Sequence, residues 1–531
     1  MATIARWCRA IGATVLMVGS TVVGGGAADA GEPALEWVNC PAVEQIPGFE
    51  RLQCATLEVP MDHTEPNGTT ARIALFKAPA RDPGQRRGSL VINRGGPGYP
   101  SSVYLASLAS GAMRAPWDDR VWDRYDVIAV DQRGIGFATP AVTCFDTPTA
   151  ATTFGSELTA VPMGPLDAAA RAVRDAEFAA ACRQHSGSLL DHLTTAAVAR
   201  DLDLVRAALG EPRLNFLGQS YGAALGLVYA NLFPRQVGSF VLDSVQDPAW
   251  TSSGPADSVS SERTGGDVAT TEAMNEALRL CAAGRSCAFA ADDPVRAFPA
   301  LLAALREHPL ALVAPNGAQT SLTYSKLVSY LGGMLYQPWM WPEAGFDQVL
   351  HLAHRVTTSP SDTQATAALA QLVIEKIDPS GLDRAYSPWA AAYSAFTCND
   401  DQLPRFAPAW WSAAQRRESL APGFATLRAY DTSQCAFWQS NPTDRYTGPW
   451  DTRTDTPALI LNSRFDPATP LAGALDVARR LAGSRVLVHE GIGHVVTQQS
   501  SCAVRAVSDY LASDTLPAEG TTCSPDTIPF A

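Results

Sequence analysis

Lysine is nearly missing from this 531-residue chain. It stands only at Lys77, Lys326 and Lys376, and arginine supplies almost all of the positive charge. Positive charge as a whole is in deficit: 40 Lys and Arg face 53 Asp and Glu, a formal net charge of −13. Such a balance argues against a nucleic-acid partner, because a phosphate backbone is repelled rather than attracted. Charged side chains make up only 18% of the chain and apolar ones 46%, which excludes a disordered polypeptide and fits a well-buried globular one. Beyond the first thirty residues no stretch reaches the ~18 apolar residues of a membrane span. The cysteine spacings match no zinc site. Of the eight histidines only His351 and His354 share a helix face, and two ligands are too few to hold a metal. No metal or organic cofactor is expected, no internal repeat is visible, and a monomer is the expected state.

What is present begins with a targeting segment over residues 1–30. Arg6 and Arg9 form a basic start, Ile11 to Val23 is an apolar stretch too short for a bilayer, and Ala28-Asp29-Ala30 is a small-residue cleavage site. Removal of this segment takes Cys8 with it. Eleven cysteines less one leaves ten, an even number that suits pairing in an oxidising compartment. Ten cysteines allow on the order of a thousand pairings. Pairing of sequential neighbours (40–54, 144–182, 281–287, 398–435 and 502–523) closes modest loops, each worth roughly 2–4 kcal/mol in the chain-entropy picture. The mature protein is expected outside the cytoplasm, secreted or periplasmic.

The next stretches alternate in type. Ala55 to Pro60 and Ala71 to Phe76 read as strands joined by a turn at Glu65-Pro66-Asn67-Gly68. Short apolar runs at Ser89–Asn93 and Tyr125–Val130 end in Gly-rich loops. Thr195 to Leu209 places Val198, Leu202, Val205 and Leu209 on one helical face, and Gly210-Glu211-Pro212 stops it. A strand, a helix to Phe233 and a strand over Ser239–Val245 follow. Strand–helix alternation with turns at strand C-termini predicts a mainly parallel α/β sheet flanked by helices. Residues 247–455 break the pattern, with helical periodicity, no clean strand and much Trp and Pro. Strand–helix–strand order resumes at Ala458. The expected organisation is therefore an α/β domain in two parts, residues 31–246 and 456–531, around a helical cap insertion over 247–455. Ser252 to Gly266 reads as a hinge into the insertion.

Chemistry concentrates at Leu214 to Gly226. An apolar strand runs into Gly218-Gln219-Ser220-Tyr221-Gly222 and then into a small-residue helix. A G-x-S-x-G pentapeptide in a strand–turn–helix context is what a nucleophile elbow requires. A serine hydroxyl needs a base to take its proton, and the base needs a carboxylate to fix its tautomer. Downstream, the strand Ala458–Asn462 leads to Asp466, and the strand Arg485–His489 leads to Gly493-His494. Both fall at the strand edge where Ser220 stands, in the order serine, acid, histidine. Asp466 is the expected acid and His494 the expected base. His489, within its strand, is the rival base and reads as structural. For the oxyanion, the backbone N–H of Tyr221 is one expected donor; Gly96 is the first choice for the other and Gly95 the second, both in the loop Gly95-Gly96-Pro97-Gly98.

With these residues placed, the chain resembles the secreted bacterial tripeptidyl aminopeptidases, relatives of proline iminopeptidases in the α/β-hydrolase superfamily. The likeness is carried by Asn93 to Gly98, Asp131-Gln132-Arg133-Gly134-Ile135-Gly136, Thr194-Thr195 through the helix into the elbow, and Val241-Leu242-Asp243. It continues in Cys398-Asn399-Asp400, Cys435-Ala436-Phe437-Trp438, Asp466-Pro467-Ala468-Thr469-Pro470 and Gly493-His494. The resemblance implies an exopeptidase whose cap admits a free N-terminus and offers carboxylates to its ammonium. Asp400 is the best-matched carboxylate, with Glu262, Asp267, Glu272 and Glu276 behind it. Three departures stand on the expected oxyanion side: Arg94 in place of a common proline, Gly98-Tyr99-Pro100-Ser101-Ser102 in place of a smaller run, and Phe137-Ala138 in place of a serine. They bear on the tripeptide preference.

The leading expectation is a secreted serine exopeptidase that releases tripeptides or other short peptides through an acyl-enzyme. The alternative is a carboxylesterase or amide hydrolase acting on a small non-peptide ester, lactone or secondary metabolite. The same triad serves both. A non-enzymatic binding scaffold would be expected to have lost part of the triad, and Ser220, Asp466 and His494 are all present.

Overall fold

A computed structural model describes residues 35–43, 46–156, 160–255, 257–378 and 388–531; the expected targeting segment lies outside them. The strands are β1 (Val38–Asn39), β2 (Gln53–Pro60), β3 (Thr70–Ala78), β4 (Gly88–Asn93), β5 (Tyr125–Asp131), β6 (Leu214–Gln219), β7 (Val237–Asp243), β8 (Leu310–Val313), β9 (Gln319–Leu322), β10 (Leu459–Phe465), β11 (Arg485–Ile492) and β12 (Thr522–Cys523). Ten of them form one sheet in the order β1-β2-β3-β5-β4-β6-β7-β10-β11-β12. The first three pair antiparallel and β3 meets β5 antiparallel; every later pairing, from β5–β4 to β11–β12, is parallel. This is the α/β-hydrolase fold, with β6, the strand that leads into Ser220, between β4 and β7 near the middle of the sheet.

Both sheet faces are covered, so its central strands have no polar side. Successive side chains of a strand point to opposite faces, and β6 shows the result. Phe216 joins one apolar cluster with Val198, Leu202, Leu225 and Phe240. Leu217 joins the other, with Tyr104, Val241, Val507 and Leu511. The helices Thr195–Ala208 and Tyr221–Leu232 thus pack on one face, and Ser101–Ala109 and Ser501–Ser513 on the other.

The insertion carries a third cluster, including Leu301, Leu327, Val349 and Leu369. It is helical, as its periodicity suggested, but it also holds the antiparallel hairpin β8–β9; each of its strands is only four residues long, too short for a clear alternation. The later part of the insertion packs differently: Phe396, Trp410 and Cys435 belong to the cluster under the sheet. The expected hinge at 252–266 contains the short helix Ser260–Thr264, preceded by Pro248–Ser252. Arg263 donates to the carbonyls of Trp250, Thr251 and Ser258, which fastens this stretch down; a Gly/Ser-rich composition did not show that cross-tie. All five disulfides join sequential neighbours: 40–54, 144–182, 281–287, 398–435 and 502–523. Among the described residues no helix is long and apolar enough to cross a membrane.

The elbow is the tightest point of the fold. A β-carbon on Gly218 would lie 2.2 Å from the Gly222 carbonyl oxygen, and one on Gly222 would lie 2.4 Å from the Asn93 carbonyl oxygen. Alanine ordinarily favours a helix over glycine by about 1 kcal/mol, but overpacking against backbone costs about 1–3 kcal/mol or more. Gly222→Ala is therefore expected to lower the midpoint of urea unfolding despite the better helix former.

Candidate active site

Ser220 sits where β6 turns into the helix Tyr221–Leu232. Its φ of 58° and ψ of −123° are strained for a residue with a side chain. The strain lifts the side chain out of the strand while the helix starts immediately behind it, its N–H groups and positive dipole end close to the hydroxyl. The Ser220 amide is held by the carbonyl of Asp243 at 2.9 Å.

The expected acid and base follow the next two strands. Asp466 follows β10 and is 1% exposed. Its Oδ1 accepts the N–H groups of Ala468 and Thr469, both at 2.9 Å, and its Oδ2 accepts the Thr469 hydroxyl at 3.0 Å. His494 follows β11, and its Nδ1 lies 3.0 and 2.9 Å from the two carboxylate oxygens. An ionised carboxylate can only accept, so Nδ1 carries the proton and Nε2 is left to act as base. Ser220 and His494 are brought to one rim, although no hydrogen bond of 3.5 Å or less joins the hydroxyl to the imidazole. Such contacts commonly tighten only with substrate in place.

Asp243, at the end of β7, ties Ser220 to the loop behind His494. It is 0% exposed. Its carbonyl holds Ser220, while its carboxylate accepts Val496 N at 2.9 Å, Thr497 N at 3.1 Å and Thr497 Oγ1 at 2.7 Å. Gln219 donates to the same Thr497 hydroxyl at 3.1 Å. The loop after His494 is thereby pinned to the elbow. His489 has a different setting. It is 0% exposed, its Nδ1 lies 3.0 Å from the Ser463 hydroxyl, and burial lowers its pKa to about 4, so it stays neutral inside the sheet.

On the oxyanion side Gly95 packs hard against the elbow: a β-carbon there would be 3.0 Å from Tyr221 N and 3.1 Å from Ser220 Cβ. The expectation for Gly95 as a donor needs correction. Its N–H is spent on Asn93 Oδ1 at 2.9 Å, so it shapes the loop instead. The Gly96 N–H has no acceptor among the described residues and so is free to donate. Of the departures noted in the sequence, Arg94 donates to Gln219 Oε1 at 3.0 Å and lies over the Tyr104 ring. Phe137 instead packs with Phe49 and Phe76, not on the oxyanion loop.

Beside the elbow lies a small cleft of about 80 Å³, partly open to solvent. Pro97 and Tyr221 line it, followed by Tyr393, Phe396, Asp400 and Asp401 from the insertion; Ser220 is not part of its wall. Asp400 accepts Thr195 N at 3.0 Å and Thr195 Oγ1 at 2.6 Å, and Thr195 Oγ1 lies 2.8 Å from the Tyr221 hydroxyl. Burial, reinforced by Asp401 and Asp444, raises the Asp400 pKa to about 7 against these hydrogen bonds. Asp401 is 8% exposed, and its pKa is also raised by burial. The buried Ser252 hydroxyl in the same wall has no partner among the described residues.

The other carboxylates suggested for substrate do not reach this cleft. Glu262 is held by Arg416 at 3.1 and 3.0 Å, and Glu272 is exposed on the helix Gly266–Ala283. Asp267 is paired bidentately with Arg417, and Glu276 with Arg279. Glu262 and Asp267 are claimed by arginines from elsewhere in the insertion and Glu276 by an arginine one turn along its own helix. His351 and His354 both approach Asp292 and belong to the surface of the insertion; no group of three or more potential metal ligands occurs among the described residues. Asp243 and Thr469 stand in stretches that carry the resemblance but were given no role there; Tyr336, whose ring meets the His494 imidazole edge-on at 5.2 Å, carried no sequence signal.

Fold and site together define a serine hydrolase of the α/β-hydrolase class. Comparisons agree: residues 88–264 match the description "alpha/beta hydrolase fold" and residues 421–523 match "TAP-like protein". The chain is 30% identical to a tripeptidyl aminopeptidase of Streptomyces coelicolor, over 95% of this chain and 88% of that one. It is 30% identical to the serine protease Hip1 of Mycobacterium tuberculosis, over 97% of each, and 29% identical to carboxylesterase B of the same species, over 93% and 90%. The chain belongs to this family of tripeptidyl aminopeptidase and Hip1-type serine hydrolases.

Asp466→Asn should keep the imidazole in place but favour the wrong tautomer, and a loss of about 10⁴-fold in kcat has the precedent of the serine-protease triad. Steady-state kinetics, with folding checked by circular dichroism, would measure it; a loss under tenfold would assign the acid elsewhere.

Proposed function

We propose that this protein is an exported serine exopeptidase that releases tripeptides or other short peptides from free N-termini. Ser220 is the nucleophile, His494 the base and then the acid, and Asp466 the group that orients it. Ser220 Oγ attacks the scissile carbonyl as His494 Nε2 takes its proton. The amides of Tyr221 and Gly96 receive the oxyanion. His494 returns the proton to the leaving amine, and water attacks the acyl-enzyme by the same route in reverse. The five disulfides support export.

The observation that carries the peptidase reading is the cleft beside Tyr221, with Asp400 and Asp401 set among aromatic walls. A carboxylate there gives an ammonium group a partner, and the surrounding rings suit a cation in a partly dry setting. The names of the Streptomyces and Hip1 relatives point the same way. A second reading, hydrolysis of a small ester, rests on the relative named carboxylesterase B.

Free and N-acetylated Ala-Ala-Pro nitroanilides, set against short nitrophenyl esters, separate the two. The free peptide should be cleaved at least tenfold more efficiently than the blocked one. Esters alone being hydrolysed, or both peptides equally, would rule out the exopeptidase. Asp400→Asn should raise KM for the free peptide about 10- to 100-fold, the loss expected when a charge-assisted hydrogen bond goes, and leave ester hydrolysis nearly unchanged.

A pH dependence follows. With its pKa at about 7, Asp400 is mostly protonated below that pH and offers no charge to the ammonium. KM for the free peptide should therefore rise as pH falls through 7, by up to tenfold per unit. KM for a nitrophenyl ester should not follow it, and the effect should vanish in Asp400→Asn. A flat KM in the wild type would remove Asp400 from substrate binding.

A further inference from the structure

The acid loop has one carbonyl turned toward the insertion, that of Pro467, and two side chains of the insertion donate to it. Thr270 Oγ1 reaches it at 2.8 Å and Arg428 Nη2 at 2.8 Å. The base loop is seated on the insertion as well. His494 N donates to the carbonyl of Tyr336 at 2.9 Å, and the Tyr336 ring stands edge-on to the imidazole at 5.2 Å. Gly493, at φ +117°, lies so close to the insertion that a β-carbon would be 2.8 Å from Pro338 Cδ. Ile492 at the end of β11 is part of the insertion's own apolar cluster, and Phe465 at the end of β10 packs against it.

One guanidinium links these contacts. Arg428, 11% exposed, spends Nη2 on Pro467 O, Nη1 on the Tyr336 hydroxyl at 3.0 Å and Nε on Thr270 Oγ1 at 2.8 Å. Asp431 balances its charge at 3.3 Å. A guanidinium is planar and rigid, so three bonds from one group fix three partners in relative orientation. Here the partners are the loop of the acid, the tyrosine that flanks the base, and a helix of the insertion. The triad gains a restraint that the sheet alone does not supply.

We propose that Arg428 and Tyr336 are positioning residues for the triad: the insertion is a fixed part of the catalytic apparatus that sets the orientation of Asp466 and His494. This rests on the triad reading of the proposed function. It has a structural corollary. The insertion cannot swing away as a rigid lid without withdrawing the carbonyl that holds the His494 amide and the guanidinium that holds the Asp466 loop.

The test uses the full-length enzyme and three variants. Arg428→Met removes the fork at similar length, Arg428→Lys keeps the charge without the fork, and Tyr336→Phe removes only the hydroxyl. Each is assayed with p-nitrophenyl acetate as well as the tripeptide nitroanilide, so the result is readable whichever substrate reading holds. Rates are normalised to sites titrated with a fluorophosphonate, and folding is followed by thermal melting. The expected result for Arg428→Met is a 10- to 100-fold lower kcat on both substrates, KM within threefold, and fluorophosphonate labelling slowed by a similar factor. Tyr336→Phe should lose three- to tenfold and Arg428→Lys should fall between. Unaltered kcat per titrated site and unaltered labelling in folded variants would overturn the proposal, as would a change confined to KM. Should Arg428→Met fail to fold, the other two variants decide. Ser220→Ala, run alongside, must lose labelling; if it does not, the triad reading has failed, and that outcome is distinct from a failure of the clamp.

Discussion

Asp243 is the point at which the structure would come apart. Its main chain holds the strained Ser220 amide and its buried carboxylate holds three donors of the loop behind His494. An unpaired carboxylate in that position would be prohibitively costly; burial raises its pKa, and the donors from Thr497 and Val496 pull the other way. The chain thus commits two backbone amides and a hydroxyl to one side chain, and in return Ser220 and the loop behind His494 share a single anchor in the middle of the sheet.

The elbow supplies the other half of that arrangement. A serine at φ 58° can persist only if its surroundings fix it. Gly218 and Gly222 let strand, turn and helix approach to distances no β-carbon would allow, and Asn93 at the end of β4 pairs with Gly218. Because Asn93 also receives the Gly95 N–H, the oxyanion loop and the elbow are shaped by the same few atoms. The strand order matters here: β4 and β7 flank β6, so the oxyanion loop and Asp243 stand on either side of the nucleophile.

The insertion contributes more than cover. Its first part has an apolar cluster of its own that takes in the end of β11, while its later helices join the core beneath the sheet. Arg263 and Arg428 each gather several oxygens from separate segments. Buried guanidiniums used in this way specify geometry, since a planar fork accepts few arrangements of its partners. The cleft with Asp400 and Asp401 is lined by the elbow helix on one side and the insertion on the other.

The sequence by itself determined the local features: the strand–turn–helix elbow at Ser220, the periodicity of the flanking helices, the parallel alternation, and the order in which Asp466 and His494 follow. Each depends on residues close in the chain, where period, glycine and proline act directly. The neighbour pairing of ten cysteines was also within reach, because short loops close most readily. Only the tertiary structure decided which polar groups find partners across long separations. Glu262 and Asp267 read as free carboxylates, yet Arg416 and Arg417 take them from about 150 residues away, a distance in sequence at which no pattern registers. Gly95 read as a donor, yet the Asn93 side chain occupies its amide. Asp243 and Thr469 stood in recognisable stretches without a role, and Tyr336 and Arg428 lacked any signal, because what these four do consists of contacts made after the strands are assembled.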